Sequence, residues 1–178
     1  MLSRRVEVSL PWFSLTEPRQ QKMDQSYLTY LKSLPKKRMA AGILARNQAG
    51  HVLIVKPTYR DGWGIPGGVV DLNESPAQAA VREFREELGL ILREPLKLVC
   101  IEYQRPLPGR TESLQFLFAA PVITQPQIER IVLQEAEIEQ AIFLPPDEAI
   151  TLLGPSLGRR IQRGLEGLCG DCVYAEVA

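Results

Sequence analysis

Residues 68–90 read Gly68-Val69-Val70-Asp71-Leu72-Asn73-Glu74-Ser75-Pro76-Ala77-Gln78-Ala79-Ala80-Val81-Arg82-Glu83-Phe84-Arg85-Glu86-Glu87-Leu88-Gly89-Leu90. Ser75 is an N-cap residue, Pro76 suits the first helical position, and Gln78 stands three after the cap. The spacing predicts a helix over Pro76–Leu88, with Gly89 as a left-handed stop. Ala77, Ala80, Val81, Phe84 and Leu88 form its core stripe. Glu83, Glu86 and Glu87 fall within roughly 100° of another face. Like charges three and four apart repel, and the helix C-terminus disfavours anions. Such a pattern is either a solvated acidic helix end or a set of ligands that a cation relieves. Oxygen-only ligands select a hard cation such as Mg²⁺ or Mn²⁺, which suits a phosphate substrate.

Outward from this helix, strands and helices interleave. Ala40–Arg46 and Val52–Val55 read as strands, and Asn47-Gln48-Ala49-Gly50 between them is turn chemistry, so a hairpin is expected. Trp63-Gly64-Ile65-Pro66-Gly67-Gly68 reads as a short strand entering a tight loop. Pro95–Tyr103, Leu114–Phe118 and Ala141–Leu144 read as strands, and Pro146–Leu153 and Pro155–Leu168 as helices. The fold class is α/β or α+β with a mixed sheet. Near the N-terminus, Val6, Val8 and Leu10 alternate as in an edge strand, and Pro18–Leu34 has helical spacing. Residues 1–35 are expected to be an extension packed on a main domain at 36–168, and 169–178 a tail.

Composition excludes several classes. The 178 residues hold 21 Lys+Arg and 21 Asp+Glu, so the excess positive charge that coats nucleic acid is missing. Lys36-Lys37-Arg38 is too short to supply it. No apolar run is long enough to span a bilayer, and residues 1–15 do not read as a secretory signal. Three cysteines argue against a disulfide framework and for a reducing, cytoplasmic setting. Cys169 and Cys172 have CxxC spacing, but Cys100 and His51 are a poor supply of further zinc ligands, so the pair reads as incidental.

The full spacing is more specific than the charge pattern. Five residues separate Gly68 from Glu74, and seven more lead to Arg82-Glu83-Phe84-Arg85-Glu86-Glu87-Leu88-Gly89-Leu90. This resembles the Nudix box, G-x5-E-x7-R-E-U-x-E-E-x-G-U, at every fixed position. Phe84 stands where an aliphatic residue is commoner. The resemblance implies an α/β/α sandwich and hydrolysis of a nucleoside diphosphate linked to another moiety. Substrates of the ADP-ribose or nucleotide-sugar type and of the (d)NTP type both fit. It implies divalent metal, Mg²⁺ or Mn²⁺, with Glu83, Glu87 and Glu86 as ligands and Gly67 offering its carbonyl. Glu86 is then a ligand or the acceptor of the water proton. Arg82 pins a box carboxylate, while Gly68 and Glu74 support the site.

A further acidic residue beyond the box is a common feature of the resemblance. Glu135, Glu137 and Glu139 precede the Ala141–Leu144 strand, and Glu137 is favoured; the bland reading is that all three are solvated. Trp63 either stacks on a base or belongs to the core. Arg105, Arg110, Lys56 and Arg60 are candidate phosphate contacts, or surface cations. The implied partner is a small nucleotide substrate, with no nucleic acid or membrane, and a homodimer is possible. The competing reading is a non-catalytic module that senses a nucleotide or binds a partner; such modules often lose box glutamates, and none is lost here.

Overall fold

A computed structural model describes residues 25–93 and 95–177. The chain divides into two compact units, residues 1–36 and 37–178. The described part of the first holds helix α1, Gln25–Ser33. Thr29 and Ser33 there donate hydroxyl protons to the carbonyls of Gln25 and Tyr30, at 2.9 and 2.7 Å. The start of the expected Pro18–Leu34 helix, and the alternation at Val6, Val8 and Leu10, lie outside the described residues.

The second unit carries β1 (Arg38–Leu44), β2 (Val52–Pro57), β3 (Gly67–Val69), α2 (Pro76–Leu88), β4 (Lys97–Gln104) and β5 (Ser113–Ala119). These are followed by α3 (Gln125–Ile128), β6 (Ile138–Leu144), α4 (Pro146–Cys169) and β7 (Val173–Val177). Five strands form a mixed sheet in the order β3-β1-β5-β4-β7. β1 runs antiparallel to β3 and parallel to β5, and β4 runs antiparallel to β5 and parallel to β7. β2 and β6 form a separate antiparallel pair.

The sheet is covered on both faces. Phe84 and Leu88 of α2 bury themselves with Ile43, Ala45 and Phe118 on one side. Ile161 of α4 joins Leu44, Val99 and Leu117 on the other. Alternate residues of β1 and β5 thus serve opposite cores, as the pleat dictates. The result is an α/β/α sandwich, the expected architecture. Helix α4 breaks at Gly154, whose φ of 73° is left-handed, and Pro155 follows; the two helices read from the sequence are these two segments.

The expected hairpin is corrected. The turn forms, with Gly50 N–H donating to Asn47 carbonyl at 2.9 Å, and a single bridge joins Arg46 to Val52. Beyond it the strands part. The apolar run of β1 is buried between two neighbours, β3 and β5, which leaves β2 to pair with β6. The segment read as a tail also holds structure: β7 extends the sheet from Cys100↔Val173 to Gln104↔Val177. Its Val173, Ala175 and Val177 are half-buried while Tyr174 and Glu176 face out, an alternation visible in the sequence.

Candidate active site

Helix α2 begins where its cap chemistry places it. Ser75 hydroxyl accepts from Gln78 N–H at 3.2 Å, and Gln78 side-chain oxygen accepts from Ser75 N–H at 2.9 Å. It ends at Gly89, with φ 69° and an N–H donated to Arg85 carbonyl. Ala79, Ala80, Phe84 and Leu88 are buried, while Ala77 and Val81 are only partly so. Glu87 is buried with them, at 5% exposure. Of the acidic face only Glu86 is turned to solvent; Glu83 is half-buried. Glu83 and Glu87 lie against the Gly67–Gly68 loop.

Both glycines of that loop are closely approached, and at Gly67 the approach is by backbone. Gly67 has φ 146°, and a Cβ there would overlap Ala41 carbonyl oxygen and Gly42 Cα of β1. A Cβ on Gly68 would overlap the Glu83 carboxylate itself. The space at Gly68 is thus occupied by a box carboxylate. Gly67, expected to offer its carbonyl to a metal, donates its N–H to Glu87 Oε2 at 3.1 Å.

Arg82 organises the other carboxylates. Its Nε and Nη2 donate to the two oxygens of Glu74 at 2.9 and 3.0 Å. Its Nη1 donates to Glu83 Oε1 at 2.8 Å and Glu86 Oε2 at 3.1 Å, and Nη2 also reaches Val69 carbonyl at 3.2 Å. This fork holds the Glu74 carboxyl below the usual carboxylate range. Glu87 behaves oppositely. Burial pushes its carboxyl up to about 8, the Gly67 N–H opposes this, and the charges of Glu83, Glu137 and Glu86 push further up.

Glu137 is thereby distinguished from its neighbours. Its charge acts on Glu87, and its carbonyl accepts from Thr58 N–H at 2.9 Å. Glu139 is paired with Lys56 at 2.9 Å, so Lys56 faces that partner. Trp63 is half-buried against the α4-side core. Arg105 pairs with Glu176 at 3.4 Å. Arg105 and Arg110 border a hollow with Arg38 and Gln104, which no residue of 68–90 lines. Arg60 instead borders a cavity of about 210 Å³ that opens beside Gly67 and Gly68.

Among the described residues no three His, Cys, Asp or Glu side chains are gathered as a ligand cage; Glu83 and Glu86 gather about Arg82. The chemistry of the donor set nevertheless fits a hard cation. All its donors are oxygens, and the most buried carboxylate, Glu87, has three acidic neighbours acting on it. A divalent cation offsets that repulsion and the cost of burying the charge.

Sequence reasoning missed one charged cluster. Glu102 of β4, 1% exposed, accepts from Arg160 Nε at 2.6 Å and from Arg163 Nη1 at 2.5 Å, both on α4. The one signal was a glutamate following the apolar run Leu98–Ile101.

Comparison with known proteins agrees with this geometry. A family model described as NUDIX domain matches residues 36–163. An RNA pyrophosphohydrolase of Halorhodospira halophila is 43% identical over 53 residues, 30% of this chain and 29% of that protein. One of Xanthomonas oryzae pv. oryzae is 41% identical over 54 residues, 30% of this chain and 26% of that protein. These matches thus span about three tenths of the curated relatives' length. Among solved structures, the Nudix domain of Shewanella oneidensis NrtR complexed with ADP ribose superposes with a TM-score of 0.64 at 16% identity, over 82% of this chain and 99% of that one. A C. elegans Ap4A hydrolase gives 0.60 at 24%, over 74% and 98%. Both likenesses speak for the fold.

Proposed function

The chain belongs to the Nudix family, and on that premise we propose that it hydrolyses a pyrophosphate bond in a nucleotide-type substrate with the help of a divalent cation. The observation that carries this reading is the placement of the box carboxylates: Glu83 against Gly68, Glu87 bonded to Gly67 N–H, and Glu83 and Glu86 both held by Arg82. Residues 36–168 form the catalytic domain in this reading, and residues 1–35 an extension.

Glu83, Glu86 and Glu87 would hold Mg²⁺ or Mn²⁺, with Glu137 close to Glu87. Bound there, the cation neutralises phosphate charge and lowers the pKa of water. The protein's own residues do the rest. Arg82 fixes the Glu83 and Glu86 carboxylates, so neither must reorganise when substrate arrives. Glu86, whose side chain is 42% exposed, is positioned to take the proton of the attacking water. Gly67 and Gly68 carry no side chain, which lets a pyrophosphate approach the loop backbone.

The substrate class follows less directly. The RNA pyrophosphohydrolase relatives, the Ap4A hydrolase and the ADP-ribose complex bring RNA, Ap4A and ADP-ribose into consideration. A phosphate-release screen with Mg²⁺ and Mn²⁺ over these classes, sugar nucleotides and (d)NTPs tests the reading. Turnover of one class that disappears in Glu86→Gln supports it. No turnover, with thermal stabilisation by a nucleotide, favours a sensing module.

A further inference from the structure

The α4-facing side of the sheet changes character along its length. At Leu44, Val99 and Leu117 it is an apolar core. A few residues along, it carries Glu102 and Ser113, both buried, and Gln115, the cross-strand partner of Glu102. Gln115 amide donates to Ser113 hydroxyl at 2.9 Å, and that hydroxyl donates to Gln104 at 3.2 Å. Buried polar rows carry a desolvation cost that an apolar core avoids. This one lies where the cavity beside Gly67 and Gly68 reaches between the sheet and α4, lined by Gln115, Arg60 and Arg160.

Arg160 is presented rather than consumed. Its Nε is held by Glu102 at 2.6 Å, which leaves the amino groups of the fork for a ligand. Arg163 shares the same carboxylate, so the buried cluster carries two cations against one anion. Arg60 adds a second guanidinium at the cavity wall. Its Nη2 lies 2.9 Å from where a Cβ on Gly64 would be, so the bare Gly64 backbone leaves room for it beside the loop. The half-buried Arg160 and the exposed Arg60 line one cavity, and two guanidiniums there call for an anion.

We propose that Arg160, positioned by Glu102 and aided by Arg60, reads an additional phosphate next to the pyrophosphate being cleaved, so that the protein prefers a 5′-triphosphate to ADP-ribose. The inference rests on the Nudix reading, in which the scissile pyrophosphate occupies Gly67–Gly68 and the box carboxylates. There its charge is met by the bound cation. The groups flanking the pyrophosphate of ADP-ribose are neutral sugars and offer Arg160 and Arg60 nothing anionic. A triphosphate places its further phosphate there. Arg160 is a specificity residue and Glu102 a positioning residue.

The test measures Kd for ATP and for ADP-ribose by calorimetry with Mg²⁺ in a Glu86→Gln background, and KM and kcat in the otherwise native chain. The expected result is a preference for ATP of about tenfold or more. Arg160→Gln should reduce it to less than about threefold by weakening ATP alone, in KM rather than kcat. Glu102→Gln should do the same, and the double variant no more than either single one, because Glu102 acts through Arg160. Arg160→Lys should restore part of the preference. If Glu102→Gln fails to fold, Arg160→Gln and Arg160→Lys still decide the matter. No preference in the parent, or equal weakening of both nucleotides by Arg160→Gln, overturns the proposal. ATP preference in binding without turnover of either nucleotide overturns the hydrolase reading and leaves this one standing.

Discussion

Arg82 grips Glu74 with one edge of its guanidinium, Nε to Oε1 at 2.9 Å and Nη2 to Oε2 at 3.0 Å, and turns the remaining nitrogen to Glu83 and Glu86. One side chain thereby ties the start of the box to the acidic turns of α2. Arg82→Lys keeps the charge but loses the fork. It should lower kcat by about 10²-fold, the scale of a misplaced catalytic group, while the far-UV spectrum stays unchanged. Steady-state kinetics beside circular dichroism checks both halves.

Glu87 ties pH, stability and metal together. Its carboxyl sits at about 8 when folded against an ordinary 4.5, so the folded state holds the proton more tightly. The stability this adds to the metal-free protein is complete below about pH 4.5 and is lost as pH rises through about 8. Glu87→Gln should therefore raise the metal-free melting temperature at pH 8.5 by about 3 °C or more, and the gain should vanish near pH 4.5. Added Mg²⁺ should stabilise the native protein at pH 8.5 and not the variant. Thermal melts across pH, with and without chelator, read this out.

The two loop glycines should separate stability from activity. Gly67→Ala forces a Cβ into the backbone of β1 at a φ of 146°. It should cost about 3 kcal/mol, combining strain and overpacking. Gly68→Ala displaces the Glu83 carboxylate, the movable end of a side chain. It should lose less stability and more activity. Urea unfolding paired with rate measurement distinguishes them.

The thiols should sort by burial. Cys100 is buried, and burial pushes its thiol up to about 11; Cys169 and Cys172 are exposed. An aromatic disulfide reagent at pH 8 should titrate two thiols in the native protein and three in denaturant.

Much of this was legible because it is local. The caps of α2, its length and the Gly89 stop follow from neighbouring residues, and the break at Gly154-Pro155 is written in those two residues. The grouping of Arg82 with Glu74, Glu83 and Glu86 follows from the box spacing. What was not legible depends on distant partners. Helical spacing set Glu87 apart from the core stripe, but its burial depends on the Gly67–Gly68 loop that covers it. The hairpin was misread because turn chemistry at Asn47–Gly50 says nothing of the two partners that β1 finds in β3 and β5. Glu102 meets Arg160 and Arg163 across 58 and 61 residues, a separation at which no spacing rule operates.

In the proposed function the box carboxylates hold a divalent cation at the pyrophosphate and Glu86 takes the proton of the attacking water. The most direct test is the turnover of the best substrate in Mg²⁺ by the native protein and by Glu86→Gln. The predicted result is a fall in kcat of at least about 10²-fold with an unchanged melting temperature in chelator. Near-native turnover by the variant would contradict the account, because Glu86 would then have no part in the chemistry.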